Sequence, residues 1–342
     1  MINVYDNSIR QPIDTIGFAH QAWQMDELLE RIKSRFRLDL ERTEQEPGTL
    51  WKAAICPHDD YTCVSWLYPA VLRNLIAKTV IIFGVAHRAR QFNLENRLIF
   101  EDFDTWQGPY GPVSISPLRQ EILSRLPEGM TQVHREMQSV EHSVEAQIPF
   151  LQYFNREVEV ISILVPYMNL ERMELIGQEL GKVLARIVTE NDLTWGEDLA
   201  LLVSSDAVHY GDEDWGGQNY APYGTDSEGT AQAMAHESEI IKNCFTGELT
   251  HEKVAHFSGY TLTQQDFHEY QWTWCGRYSI PTGLSTALNL QNLLGEQTLR
   301  GIPMGYATSI SQPHIEVDDL GMGLTNPATQ RHWVGYPAVG FK

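Results

Sequence analysis

Ile81-Ile-Phe-Gly-Val-Ala-His87 is an apolar run that ends on a histidine, and the pattern recurs twice in the chain. Ala53-Ala-Ile-Cys-Pro-His58 and Leu201-Leu-Val-Ser-Ser-Asp206-Ala-Val-His209 are built the same way. Short apolar runs bounded by polar or turn residues read as buried strands. Four are predicted, at Ala53 to Cys56, Thr79 to Gly84, Val158 to Val165 and Leu199 to Val203. Three of them place a His or Asp just past the carboxyl edge of a strand, where open α/β sheets build their ligand crevices. One histidine after a strand is most often a surface or capping residue. Three such endings in one chain are harder to ascribe to packing.

Helical stretches lie between the runs, such as Trp66 to Ile76 and Leu170 to Val188. Upstream, Glu27, Leu28, Leu29, Ile32, Phe36 and Leu38 mark another helix, with a period near 3.6. Alternating strand and helix defines a layered α/β architecture. Val140 to Tyr153 reads as a helix that Pro149 kinks or ends. Tyr210 to Gly229, rich in Gly, Asp and Tyr without apolar period, reads as a loop able to cover a site. After a strand candidate at Met304 to Thr308 the C-terminal part is weakly patterned. With no repeat, low-complexity tract or linker, the expectation is one α/β domain over residues 1–342.

A net charge of −20 argues against affinity for nucleic acid or anionic membrane, both of which attract basic surfaces. The expected partner is a small molecule or a peptide. Four cysteines at positions 56, 63, 244 and 275 form no CxxC pair. The first ten residues lack a basic start and an apolar run, and no stretch of about 18 apolar residues occurs, so a cytoplasmic protein with reduced thiols is expected.

Two further stretches carry chemistry. Cys275 sits in Trp272-Thr-Trp-Cys-Gly-Arg277, where a neighbouring Arg277 would favour the thiolate that a metal or a nucleophilic mechanism needs. Its plain reading is a buried thiol. Ser139-Val-Glu-His-Ser-Val-Glu-Ala-Gln147 places Glu141 and Glu145 one helical turn apart beside His142. Such a cluster orients a ligand histidine or passes protons, or it is simply a solvated helix face.

Taken in order, Pro57-His-Asp-Asp-Tyr-Thr62, Phe83-Gly-Val-Ala-His87, Glu141-His-Ser-Val-Glu-Ala-Gln-Ile-Pro-Phe-Leu151, Ser204-Ser-Asp-Ala-Val-His-Tyr-Gly211 and Cys275-Gly-Arg277 resemble the successive motifs of Memo-like proteins. These are also called the B component of the AmmeMemoRadiSam group. The resemblance implies a fold like that of class III extradiol dioxygenases, a three-layer α/β/α sandwich on a mixed central sheet. Those enzymes hold non-haem iron through two histidines and a glutamate, and Memo-like proteins have a cysteine in the glutamate's place. Carried over, it implies His58, His87 and Cys275 as metal ligands, with iron or copper the expected ion and zinc the other candidate. Asp206 and His209 would handle protons or orient substrate, with Glu141 and His142 close behind. The chain departs from the family at Asp59-Asp60, where alanine-glycine is usual, at Arg88, where a second histidine often stands, and at Tyr278-Ser279, where histidine-proline is usual.

Three functions are compatible with these residues: a metal-dependent, dioxygenase-like oxidoreductase acting on a small organic substrate, a binding or signalling protein that uses the same pocket without turnover, and a hydrolase with Cys275 as nucleophile. Histidines outside the motifs, His268 and His332 among them, are assigned no role.

Overall fold

The molecule is described by a computed structural model covering residues 8–263, 265–311 and 313–342. Its strands are β1 (Ile9–Arg10), β2 (Ala53–Cys56), β3 (Thr79–Val85), β4 (Leu98–Phe100), β5 (Thr105–Gly108), β6 (Gly111–Ile115), β7 (Thr131–Val133), β8 (Glu159–Val165), β9 (Leu199–Ser204), β10 (His209–Gly211), β11 (Gly247–Glu248), β12 (Arg300–Thr308) and β13 (His332–Phe341). They form one sheet ordered β1-β5-β6-β8-β3-β9-β2-β13-β12-β11, with β10 on β13, β4 on β8 and β7 on β4. The centre, β6-β8-β3-β9-β2, is parallel, and β13, β12 and β11 extend it antiparallel, so the sheet is mixed.

Every residue of β2, β3 and β9 is buried. That is why each reads as a continuous apolar run: parallel strands carry helices on both faces, so neither face is polar. Alternate residues feed two cores. Ile81, Phe83, Leu201 and Val203 pack with Leu180, Leu184 and Leu284 of the helices Leu170–Glu190 and Ser279–Leu294. Val80, Ile82, Ala200 and Leu202 pack on the other side with Leu28 and Phe150 of the helices Ala22–Arg35 and Ile148–Phe154. Helix, sheet, helix is the expected α/β/α sandwich.

The structure corrects several sequence expectations. Val140 to Tyr153 is not one helix: Glu141 lies in a loop, a short 3-10 turn spans Glu145–Gln147, and Pro149 opens the helix Ile148–Phe154. A proline in the first turn loses no hydrogen bond, because the amides there have no intrahelical acceptor. The helix expected over Trp66 to Ile76 is confined to Leu67–Leu72. Residues 210–229 begin with β10 and end in the helix Ser227–Ile240, leaving a shorter loop between. The weakly patterned tail holds the long strand β13, buried at every position. Gly335, Pro337 and Gly340 interrupt its apolar signature. At Gly340 the glycine is obligatory, since a Cβ would stand 2.2 Å from the Trp51 indole.

Candidate metal centre

The sheet places β9 between β3 and β2, and each of the three strands delivers a functional residue two positions beyond its carboxyl end. His58 follows β2, His87 follows β3 and Asp206 follows β9. Cys275 arrives from outside the sheet, on the segment that precedes the helix Ser279–Leu294. Its approach is fixed by an isolated antiparallel bridge between Val208 and Trp274. Gly276 permits the close contact, since a Cβ there would lie 2.0 Å from the Ser205 hydroxyl. The ligating atoms of His58, His87 and Cys275 all lie within 4.8 Å of one another.

Hydrogen bonds set the tautomer of both imidazoles. The Ser204 hydroxyl donates its one proton to the Ser143 carbonyl at 2.6 Å. It therefore accepts from His58 Nδ1 at 3.0 Å, and from the Gln147 amide at 3.0 Å. His58 Nε2 is left with a lone pair facing Cys275 Sγ, 3.6 Å away. Burial, followed by the neighbouring His87 and His142, pushes the His58 pKa well down, so the ring is neutral. His87 Nδ1 donates to Glu141 Oε1 at 2.8 Å and its backbone N–H to Oε2 at 2.8 Å. Burial alone would raise the Glu141 pKa, but His87, His142 and the Ser143 amide outweigh it and hold the carboxylate ionised, far below the usual range. An imidazole whose second nitrogen is tied to a carboxylate is the standard support for a metal-bound histidine.

Cys275 Sγ accepts the backbone N–H of Asp206 at 3.1 Å. Burial nonetheless pushes its thiol pKa well up. The expected help from Arg277 is absent: its guanidinium stacks on Tyr270 and Tyr278 and lines a different cavity. A cation placed among the three donors would itself supply the charge that favours thiolate. Burial lowers the His87 pKa, but Glu141 outweighs it and raises it, so a metal ion would compete with a proton for Nε2. The donor set thus fits a borderline or soft divalent ion, with two imidazoles and one latent thiolate on one side of a common point.

A cavity of about 370 Å³ opens over these groups. Asp206, His209 and His142 line it. Asp206 Oδ1 accepts the His58 backbone N–H at 2.9 Å, and burial, then the charge of Asp59, keeps its carboxyl protonated well above the usual range. His209 Nδ1 faces the Thr273 carbonyl at 3.2 Å, leaving Nε2 with the lone pair, and burial pushes its pKa down to about 4. His142 stacks on His87, rings 4.8 Å apart, and its backbone N–H donates to Glu141 Oε1 at 3.0 Å. Glu145 does not join this cluster but pairs with buried Arg10. Asp59 and Asp60 line the cavity without entering the donor set: Tyr336 donates to Asp59 at 2.7 Å, and Thr325 donates to Asp60 through its backbone amide at 2.6 Å.

Sequence reasoning missed part of the wall. His332 lines the cavity and stacks on Trp215 at 4.0 Å, and Trp215 comes from the loop expected to cover a site. Buried Glu237 was also missed. It accepts the indole N–H groups of Trp272 and Trp274, at 2.6 and 2.7 Å, and the Val208 amide at 3.1 Å. It thereby fixes both segments that carry His209 and Cys275.

The fold and this donor set define an α/β protein with a histidine–cysteine centre at the carboxyl edge of a mixed sheet. The family model described as Memo-like protein matches residues 20–314, and the chain belongs to that family. A MEMO1 family protein of Pyrococcus horikoshii is 27% identical over 191 residues, 54% of this chain and 61% of the relative. One from Aquifex aeolicus is 29% identical over 161 residues, 46% of this chain and 54% of the relative. A third, from Pyrobaculum arsenaticum, is 28% identical over 209 residues, 59% of this chain and 69% of the relative. Among the described residues no helix is long and apolar enough to cross a membrane.

Proposed function

We propose that this Memo-like protein binds a divalent or redox metal ion through His58, His87 and Cys275 and acts as a non-haem, dioxygenase-like oxidoreductase on a small organic substrate. The convergence of two imidazole nitrogens and one sulfur within 4.8 Å, with both imidazoles lining an open cavity, carries the reading. When bound, iron or copper would supply Lewis-acid polarisation and one-electron chemistry, and zinc the polarisation alone. His209, neutral at pH 7 with its Nε2 free, is placed to take a proton from a substrate hydroxyl. Asp206, whose carboxyl holds its proton more tightly than an ordinary carboxylate, would return one. Glu141 holds the His87 ring in the orientation that presents Nε2.

Charge narrows the substrate. Asp14 and Asp59 line the cavity beside Asp60 and Asp206, whose carboxyls hold their protons more tightly, and among the described residues no Lys or Arg lines it, so a neutral or cationic molecule is favoured over an anionic one. The same feature weighs against the binding-protein alternative for anionic peptides. A cysteine hydrolase is also less well supported: Cys275 Sγ lies 3.6 Å from His58 Nε2, but burial keeps the thiol protonated and leaves it 6% exposed.

Oxygen uptake tests the proposal. Protein loaded anaerobically with Fe(II) and then given oxygen with neutral or cationic catechols should consume oxygen, and His209→Gln should slow turnover by about 100-fold or more. No uptake with any such substrate by metal-loaded protein would refute the activity.

A further inference from the structure

A second cavity, of about 660 Å³, backs onto the metal centre across the segment from Trp272 to Arg277. Its lining includes Arg277, Arg90, Tyr167, Tyr220, Tyr270 and Thr273. We infer that this cavity is a binding site for a small organic oxyanion, a carboxylate or a phosphate, with Arg277 as its buried counter-charge.

Arg277 is only 3% exposed. Its Nη2 donates to the His268 carbonyl at 2.9 Å, and its Nε and Nη1 have no hydrogen-bond partner among the described residues. It forms no ion pair with a described carboxylate, although Glu269 also lines the cavity. The guanidinium lies 3.3 Å from the Tyr270 ring centroid and 4.8 Å from that of Tyr278. Aromatic faces replace only part of the hydration that a buried cation loses, so the charge is left under-compensated. A guanidinium is also the side chain that matches carboxylate and phosphate geometry best.

Two features make the cavity a receptor and not merely a gap. Exposed Arg90 stands at its rim, with its guanidinium 5.6 Å from the Tyr167 ring centroid, adding a second cation in a protein of net charge −20. Tyr167, Tyr220 and Tyr270 offer flat apolar walls, and the volume suits a small organic molecule. Tyr270 caps the guanidinium and is itself 37% exposed, so it is the side chain a ligand would displace. The chemistry is opposite to that of the metal cavity, whose lining carries four aspartates and, among the described residues, no Lys or Arg.

Benzoate and inorganic phosphate, titrated separately into the full chain by calorimetry at low and high salt, test the inference. At least one should bind saturably and more weakly as salt rises, and which one binds identifies the oxyanion. Arg277→Gln should weaken that binding by about tenfold or more. Arg90→Gln, an exposed change that spares the fold, should weaken it severalfold. His58→Ala should leave it unchanged. Absence of saturable binding by both probes would overturn the site, as would affinity indifferent to both arginine variants, and loss in His58→Ala would place the anion in the other cavity.

Discussion

Ser204 shows how much one hydroxyl decides. Its proton goes to the Ser143 carbonyl, so its oxygen must accept from His58, and that fixes which nitrogen of His58 is free. Glu141 does the same for His87 with a full charge. Its carboxylate accepts two His87 donors and the amides of His142 and Ser143. Glu141→Gln turns one acceptor into a donor facing those groups, so metal affinity should fall by about 10- to 100-fold while far-UV dichroism stays native. Equilibrium competition with a chromophoric chelator checks this. The sequence carried His58, His87 and Cys275 openly, since each stands at the end of a patterned run or in a motif. It did not carry Ser204, Glu237 or His332 as site residues, because a hydroxyl that sets a tautomer and a carboxylate that binds two indoles have no local signature. Arg277 misled for the same reason: adjacency along the chain does not set side-chain direction.

Elements are held in register by contacts that tolerate little change. The helix Leu170–Glu190 runs against Ser279–Leu294 with Gly181 at the crossing, where a Cβ would fall 2.6 Å from that of Asn289. Gly181→Ala gains up to about 1 kcal/mol of helix propensity. Forcing the two helices apart costs about 1–3 kcal/mol, so the net effect should be destabilising. Urea unfolding would read it as a lower midpoint at unchanged slope. Glu237 ties the helix Ser227–Ile240 to Trp272 and Trp274, and burial raises its pKa to about 7 from an ordinary 4.5. The folded state therefore holds this proton more tightly than the unfolded chain. The associated stability is present below pH 4.5 and is lost as pH rises through about 7, a difference of about 3 kcal/mol. Glu237→Gln should remove that slope between pH 4.5 and 7, measured as the difference between wild-type and variant unfolding free energies. The strands β2, β3 and β9 were legible because burial on both faces leaves a nearly continuous apolar run. β13 was not, since close approach by Trp51 demands glycine within it.

At the scale of the molecule, the mixed sheet does what no local segment can. It sets three parallel strand ends side by side, so that residues 58, 87 and 206 meet, and the helix–sheet–helix layering brings Cys275 to them from the far end of the chain. Alternation of strand and helix predicted a layered α/β architecture, and the resemblance to the Memo-like family implied the three-layer sandwich and its mixed sheet. Neither predicted that acidic and basic side chains would be divided between cavities, with four aspartates lining one and a buried arginine lining the next. The most direct test of the account is elemental analysis of protein purified without chelator or tag metal, alongside His58→Ala and Cys275→Ser. Close to one metal ion per chain in the wild type and almost none in either folded variant is the result predicted. An unchanged metal content in both variants would contradict it.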